Sequence, residues 1–547
     1  MSTSSLIRTP DRTFGPQGGV GVLDRPPAAT ASATLREGAA IDGSWGQRLM
    51  ARHGRTIERA FEILPGALAL IMISMLFWGP LIIPWPLAFG IVLFDVYWFT
   101  RSFSAAYHAV QGYWRMRAAR RTNWRAEYEK ALDDGSVLVP WERVHHVVVI
   151  PNLNELTVKL RDTVEHLANQ GDVSQQITVV LAMEAKEAAA AEKAGQLIRE
   201  FDGRFAHIFA TYHPSDIAGE VPGKSSNEAW AGKRAKELLV DKLGYDLDTM
   251  TVSSCDADSL FPAGYFDCLT FKFCTEPNRH RRFWQGPIFM YNNIWEVPMP
   301  IRVVSVLSSL NTMADLCKSH RQVFPHSTYT LSMRMADEVG YWDTDIIPED
   351  WHMFLKCFFQ LGGDVEVEPI FLPIGCDGVK AATYKGSLIM RYKQAKRHAW
   401  GAADIAYAAQ QCFLHPEIPF TRRLRRTWGL VENHLLWSTH VFVLSLGGMV
   451  PTFLAPQLKN FTALGLDPIT SLLLTACMGP FAIFIVLDLL VRPTPGPHVK
   501  RWFPLVTLFQ WPLIVITSAV FSSIPALDAQ IQLLRGKPLV YEVTEKV

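Results

Sequence analysis

Four long apolar runs bracket a polar middle in this chain, and that arrangement limits its fold more than any other feature. "FEILPGALALIMISMLFW" (61–78) and "LIIPWPLAFGIVLFDVYWF" (81–99) each approach the length needed to cross about 30 Å of hydrocarbon. Only Gly79 and Pro80 separate them, so they read as a tight hairpin. Beyond the middle, "HLLWSTHVFVLSLGGMVPTFLA" (434–455) and "SLLLTACMGPFAIFIVLDLLV" (471–491) form a second pair. Buried core helices would give similar runs, but basic residues flank each pair. Arg52, Arg55 and Arg59 precede the first pair and Arg101, Arg115 and Arg117 follow it; "TRRLRRTW" (421–428) precedes the second, and Arg492, Lys500 and Arg501 follow it. Basic flanks point to a multi-pass protein of the cell membrane, with the N-terminus and the middle domain in the cytoplasm.

A fifth stretch, 503–527, is long enough to cross but carries Pro504, Pro512 and Pro525. Read as a crossing, it puts the C-terminus outside; read as interfacial or re-entrant, it leaves four full spans and a cytoplasmic C-terminus. The remaining composition agrees with a membrane enzyme. A hydrophobic fraction of 49% and 17 Trp are high for a soluble one, and 547 residues leave room for a full catalytic domain. A net charge of +1 gives no reason to expect nucleic acid as a partner. Eight scattered cysteines without a C-x-x-C read as reduced thiols facing a cytosol. The first 45 or so residues, rich in Ser, Thr, Pro, Gly and Ala, read as a disordered cytoplasmic tail.

Between 144 and 400 short apolar runs alternate with amphipathic stretches. Strands are expected at 144–155, 176–184, 206–214 and 249–258, and helices at 156–170, 185–201 and 227–243. Such alternation implies an α/β domain with a mainly parallel sheet, whose ligands bind at the carboxyl ends of the strands. Glu155, Glu184, Asp256 and Asp258 are expected along that edge. Three D-x-D matches occur, and position separates them. Asp246 and Asp248 precede the fourth strand and belong to the opposite edge, as caps or solvated residues. Asp343 and Asp345 lie near Glu349 and Asp350, whereas Asp256 and Asp258 are the best placed.

Two carboxylates at that edge suit Mg²⁺ or Mn²⁺, hard ions that take oxygen ligands and share them with substrate phosphates. A nucleotide-linked donor with a diphosphate leaving group follows from that chemistry. Lys224 in "PGKSSNEAW" is either a phosphate-neutralising cation or a solvated loop lysine. Glu349 and Asp350 open a helix, where the dipole stabilises negative charge; capping is one reading, and Asp350 as general base is the other. "YKQAKRHAWGAADI" (392–405) supplies Gln394, Arg397, His398 and Trp400, suited to pyrophosphate and sugar rings or to an interfacial helix.

In this order the motifs resemble the membrane-embedded family 2 glycosyltransferases, the group of the cellulose, chitin and hyaluronan synthases. "PNLNE" resembles their P-x-x-N-E, "GKSSNEA" the lysine-bearing segment, "DAD" the metal-binding D-x-D, "PED" T-E-D, "QAKRH" Q-x-x-R-W, and "YEVTEKV" (541–547) the F-x-V-T-x-K gating loop. The resemblance implies a cytoplasmic GT-A-like, nucleotide-sugar-binding domain inserted between transmembrane helix pairs. It also implies an inverting, metal-dependent transfer from a nucleotide sugar, UDP-linked, to a growing glycan or lipid-linked acceptor. Asp256 and Asp258 would bind donor and metal, Asp350 would be the base, and Glu155, Glu184, Lys224, Glu349, Gln394, Arg397, His398, Trp400, Thr544 and Lys546 would line the substrates. Two departures stand out: "LAME" replaces the usual acidic pair, and His398 stands where the family has Trp, which bears on processivity.

The organisation expected is a tail over 1–50, a transmembrane hairpin over 51–100, a basic interfacial helix over 101–140 and the catalytic domain over 141–400. Interfacial helices over 401–430, two transmembrane helices over 431–491 and an interfacial or re-entrant segment with the gating-loop tail over 492–547 complete it. A non-processive transferase acting on a lipid or short glycan is the second reading. A transporter or channel with a nucleotide-sugar-sensing domain is the third, and the lack of an intramembrane charge cluster argues against it.

Overall fold

The computed structural model describes residues 44–221, 223–319, 323–497 and 499–537. Among the described residues nine strands form two sheets: β1 (His145–Asn152), β2 (Ile177–Glu184), β3 (His207–His213), β4 (Met250–Ser254), β5 (Arg282–Gln285), β6 (Ile288–Phe289), β7 (Tyr329–Ser332), β8 (Glu366–Pro369) and β9 (Ile374–Gly375). The larger sheet has the order β3-β2-β1-β4-β7-β5-β8; β6 and β9 pair apart from it.

The apolar runs at β1 and β2 explain the parallel register. Every residue of β2 is buried, and along β1 side chains alternate between two cores. Val148 and Ile150 join Val179, Leu181 and Met183 on one face, while Val147 and Val149 join Val180 and Ala182 on the other. A strand covered on both faces needs helices on both, which crossover connections supply. Leu160, Val164, Leu197 and Phe273 cover the first face; Ala231, Ala235, Phe354 and Ile405 cover the second.

The chain steps outward from β1 to β2 and β3, then returns to the other flank of β1 with β4, and both neighbours of β1 run parallel to it. Ligands favour the crevice outside the carboxyl ends at such a reversal. In this sheet β7 alone runs opposite, being antiparallel to both β4 and β5, while β8 is parallel to β5. Its start therefore lies at the edge where its neighbours end. That reversal brings residues 327 and 328 to the end of β4.

Several sequence expectations are adjusted. The 185–201 helix begins only at Ala190, after a turn, and the 227–243 helix spans Lys224–Lys236 with a π-helical end over Glu237–Lys242. The hairpin turns at Ile83 rather than at Gly79 and Pro80. Both of those residues lie inside the helix Trp45–Ile82, and Pro84, which favours a helix start, opens the next helix, Pro84–Ala119. That second helix runs on to Ala119, into the region read as a separate interfacial helix, where a further helix spans Trp124–Asp133; Phe420–Leu446 runs across the boundary expected at 430.

Among the described residues three helical stretches are long and apolar enough to cross a membrane: Trp45–Ile82, Leu466–Val491 and Phe503–Leu534. The expected spans 81–99 and 434–455 fall outside this set. The first is split between two helices at Ile83, and the second breaks after Leu446. The proline-bearing segment 503–527, read as interfacial or re-entrant, lies within one of the three. Glycines let the apolar helices pack closely: a Cβ on Gly66 would sit 2.7 Å from the Gln530 carbonyl oxygen, and one on Gly112 would sit 3.0 Å from that of Met313. The second contact ties Pro84–Ala119 to the helix Met299–Asp315 of the α/β domain.

Candidate active site

At the carboxyl edge the chain leaves β4 through Cys255, whose amide is still held by Val149 O at 3.0 Å, and reaches Asp256. Lys224, the first residue of its helix, comes up beside it. Its ammonium pairs with Asp256 Oδ1 and Glu349 Oε1, each at 2.7 Å, approaches Glu228 Oε1 at 3.8 Å, and donates to Ser327 O at 2.8 Å. Ser327 has φ +57°, in the left-handed region that an L side chain rarely adopts. There its backbone N–H donates to Asp350 Oδ2 at 3.1 Å and its hydroxyl donates to Asp256 Oδ2. One residue on, the Thr328 hydroxyl accepts from the Asp256 amide at 3.1 Å.

One ammonium thus serves a group of carboxylates, and the electrostatics reflect the shortage. Burial alone would lower the Lys224 pKa, but Asp256, Glu349 and Glu228 together raise it well above the ordinary lysine value. Burial raises Glu228 well above the carboxylate range, against the lowering effect of Lys224 and of the Ser254 hydroxyl, which donates to it at 2.6 Å. Glu349 is pushed up to about 7, by burial first, against the lowering effect of Lys224. Asp350 is also raised, again by burial, while the Ser327 and Trp351 amides pull the other way. A carboxylate whose pKa is lifted toward neutrality is a better proton acceptor once ionised.

Asp258 faces different company. Its Oδ2 accepts from the Asp377 amide at 2.9 Å, and Lys159 pairs with the Asp377 carboxylate at 2.7 Å. A cavity of about 210 Å³ lies there, lined by Lys159, Asp162, Asp258, Asn292, Glu296 and Asp377 among others. Among the described residues no group of three or more His, Cys, Asp or Glu is arranged to hold a metal ion. Asp256 and Asp258 supply carboxylate oxygens, the donor type that Mg²⁺ and Mn²⁺ take.

Among the residues singled out from sequence, the structure brings Lys224, Asp256 and Glu349 into direct contact, and Asp350 joins them through the Ser327 amide. Glu184 ends β2 and is buried against His213, 3.3 Å from Nδ1, with Glu220 on the far ring nitrogen at 2.8 Å; burial would lower the His213 pKa, and the two carboxylates raise it. The Glu155 carbonyl accepts from Lys193 at 2.5 Å in the loop after β1. Gln394 accepts from Arg391 at 2.6 Å on its own helix, Tyr384–Ala399, whose last turn carries a half-buried Arg397 and an exposed His398. Trp400 packs against the core groups around Ala399, Ala526 and Ala529. Thr544 and Lys546 lie outside the described residues.

Sequence reading missed several partners. Glu187 accepts from Asn152 Nδ2 at 2.8 Å and from the Asn154 amide at 3.0 Å, and it pairs with Lys193, so it holds the β1 loop. Its place three residues after Glu184 was a usable signal. Ser327 and Asp377 carried none, since their roles come from a backbone conformation and a backbone amide. The other acidic pairs are structural. Asp246 caps a short turn and meets Arg143, and Asp248 meets Arg334. Asp343 is held at about 2, where burial, which would raise it, is overcome by His352 and Lys356.

Residues 252–487 match the family model described as Glycosyl transferase family group 2, a stretch that takes in Asp256, Asp258, Glu349 and Asp350. The match spans less than half of the chain, and on it the protein is a glycosyltransferase. No curated protein matches the sequence. Among solved structures, a mannosyltransferase from Pyrobaculum calidifontis in complex with GDP-Man and Mn²⁺ is 13% identical, with TM-score 0.38 over 84% of this chain and 98% of its own. GalNAc-T7 with UDP, GalNAc and Mn²⁺ is 12% identical, with TM-score 0.33 over 53% of this chain and 58% of its own. S. aureus TarS 1–349 is 12% identical, with TM-score 0.28 over 63% and 90%. Likenesses this distant carry nothing over to the donor or metal of this chain.

Proposed function

We propose that the protein is an inverting, metal-dependent membrane glycosyltransferase that moves a sugar from a nucleotide donor, UDP-linked, to a growing polysaccharide. The observation that carries this reading is the gathering of Asp256, Glu349 and Asp350 around Lys224 and Ser327 at the carboxyl edge of the sheet, all but Lys224 inside the glycosyltransferase match. Asp350 accepts the proton of an acceptor hydroxyl as its oxygen bonds to the anomeric carbon. The bond from that carbon to the diphosphate breaks, and the nucleoside diphosphate leaves with the electron pair. Asp256 and Asp258 would hold a divalent cation, which supplies charge stabilisation for the leaving diphosphate. Ser327 fixes the distance between the donor-side and base-side carboxylates, because it bonds one through its hydroxyl and the other through its amide.

A single-addition transferase acting on a lipid or short glycan is favoured by one observation. His398 replaces the family tryptophan, and the nearest indole, Trp400, is engaged in packing. The localisation proposed is a cell membrane, with the catalytic domain on the cytoplasmic side, as the basic flanks argue.

The test is release of nucleoside diphosphate by purified protein, with Mn²⁺ or Mg²⁺ and a panel of UDP- and GDP-sugars, comparing wild type with Asp350→Asn. Metal-dependent release from one donor, reduced about 10²- to 10⁴-fold in the variant with donor binding retained, is the expected result; sizing the product separates polymer from single addition. Donor binding without turnover, with glycan and lipid acceptors present, would sink the proposal in favour of a sensing domain.

A further inference from the structure

A second cavity, about 500 Å³, lies where the α/β domain meets the apolar segment Phe503–Leu534; Trp295, Arg302, Ala382, Tyr384, Phe503 and Thr507 are among its walls. Arg302 is 3% exposed, and none of its bonds goes to a carboxylate. Its Nε donates to Ile294 O at 2.8 Å, Nη2 to Val297 O at 2.9 Å, and Nη1 reaches Gln510 Oε1 at 3.5 Å. Three of the five N–H donors of a guanidinium are thereby used. Asp488, whose charge acts on Arg302, is already ion-paired with Arg492 and accepts from the Tyr291 hydroxyl at 3.0 Å. Glu296 also lines the cavity, but Lys380 pairs with it at 2.6 Å. Among the described residues no carboxylate is paired with Arg302, whose guanidinium lies 5.0 Å from the Phe503 ring centroid, and a buried charge so placed favours an anion beside it.

Two further features point the same way. The helices Met299–Asp315 and Tyr384–Ala399 both begin in the cavity wall, so two positive dipole ends open on one space. Behind Arg302 and outside the cavity lining, the fully buried Gln510 accepts from it through its oxygen, and its side-chain amide nitrogen has no hydrogen-bond partner among the described residues. The rest of the wall is apolar, with Val297, Pro298, Met299, Phe503 and Val506. An anion that also carries apolar chains meets both halves of this lining, at the junction with a helix apolar enough to cross a membrane.

We propose that this cavity binds the phosphate headgroup of a lipid. The inference rests on the cavity and does not depend on the transferase reading. Full-length protein in an uncharged detergent is titrated, without nucleotide sugar, with short-chain phosphatidic acid, with diacylglycerol of the same chains and with inorganic phosphate, and bound species are read by native mass spectrometry. Phosphatidic acid is expected to bind one to one, diacylglycerol not to bind, and phosphate to compete only at far higher concentration. Arg302→Gln should weaken binding at least tenfold. Because Arg302 also holds two loop carbonyls, Ala382→Trp serves as the second variant: it fills the cavity from an exposed wall position and should weaken binding as much while leaving the thermal unfolding profile unchanged. Equal binding of diacylglycerol, or unchanged affinity in Ala382→Trp, would overturn the proposal. Phosphate binding as tightly as phosphatidic acid would overturn the lipid source, leaving a free-phosphate site. Loss of sugar transfer in a separate assay would leave the binding result standing.

Discussion

Lys224 takes its charge into a pocket that Asp256, Glu349 and Glu228 share, and the balance at this one residue sets the state of all three. Removing one partner of a buried charge network costs about 3–5 kcal/mol, because the others are left uncompensated. Lys224→Met should therefore lower the unfolding temperature markedly at neutral pH. The deficit should shrink as pH falls, since Glu349, lifted to about 7, takes up a proton and no longer needs the cation. A deficit independent of pH would mean that the lysine contributes packing alone. Activity should respond at the same scale. Asp350 must be ionised to accept a proton and its pKa is raised, so the acid limb of kcat against pH is expected above the ordinary carboxylate range.

The helix Glu349–Gln360 carries the proposed base at its start, and a buried network fixes its position. His352 is bonded to Asp404 at 2.7 Å and Asp343 at 3.0 Å, and Lys356 pairs with Asp343 at 2.6 Å. Burial would lower the His352 pKa, but Asp404 and Asp343 overcome it and raise the group to about 9. A histidine raised in the folded state contributes its full stability below about pH 6.5 and loses it as pH rises through 9. The contribution is about 3 kcal/mol, from the size of the shift at 1.36 kcal/mol per unit. Wild-type unfolding temperature should fall between these limits, whereas His352→Gln should start lower and stay flat. A parallel fall in both would refute the assignment. Nothing in the primary sequence marked this network, because its members come from positions 343, 352, 356 and 404 and meet only through helix packing.

For the whole molecule, the proposed orientation puts the basic start of Trp45–Ile82 in the cytoplasm and its other end outside. Arg55→Cys should then react with an impermeant maleimide only after cells are permeabilised, and Ile82→Cys, at a position 71% exposed, should react in intact cells. The reverse pattern would invert the topology. The parent chain, with its eight free cysteines, is the control.

The sequence by itself determined the strand and helix alternation of the half that carries β1 to β4, because the apolar runs 147–150 and 179–183 suit strands covered on both faces. It also determined which D-x-D lies at the carboxyl edge, because in a parallel sheet chain direction and edge are tied together. What only the tertiary structure decided is the company each acid keeps. That β7 runs backwards beside β4, and so delivers Ser327 to both Asp256 and Asp350, follows from a strand pairing between residues about eighty apart. That Asp256 meets a lysine while Asp258 meets a backbone amide follows from the path of loops whose side chains show no periodicity. Periodicity reports which face of an element is buried; contacts between distant loops depend on how those faces pack, and that is settled only when the chain is folded.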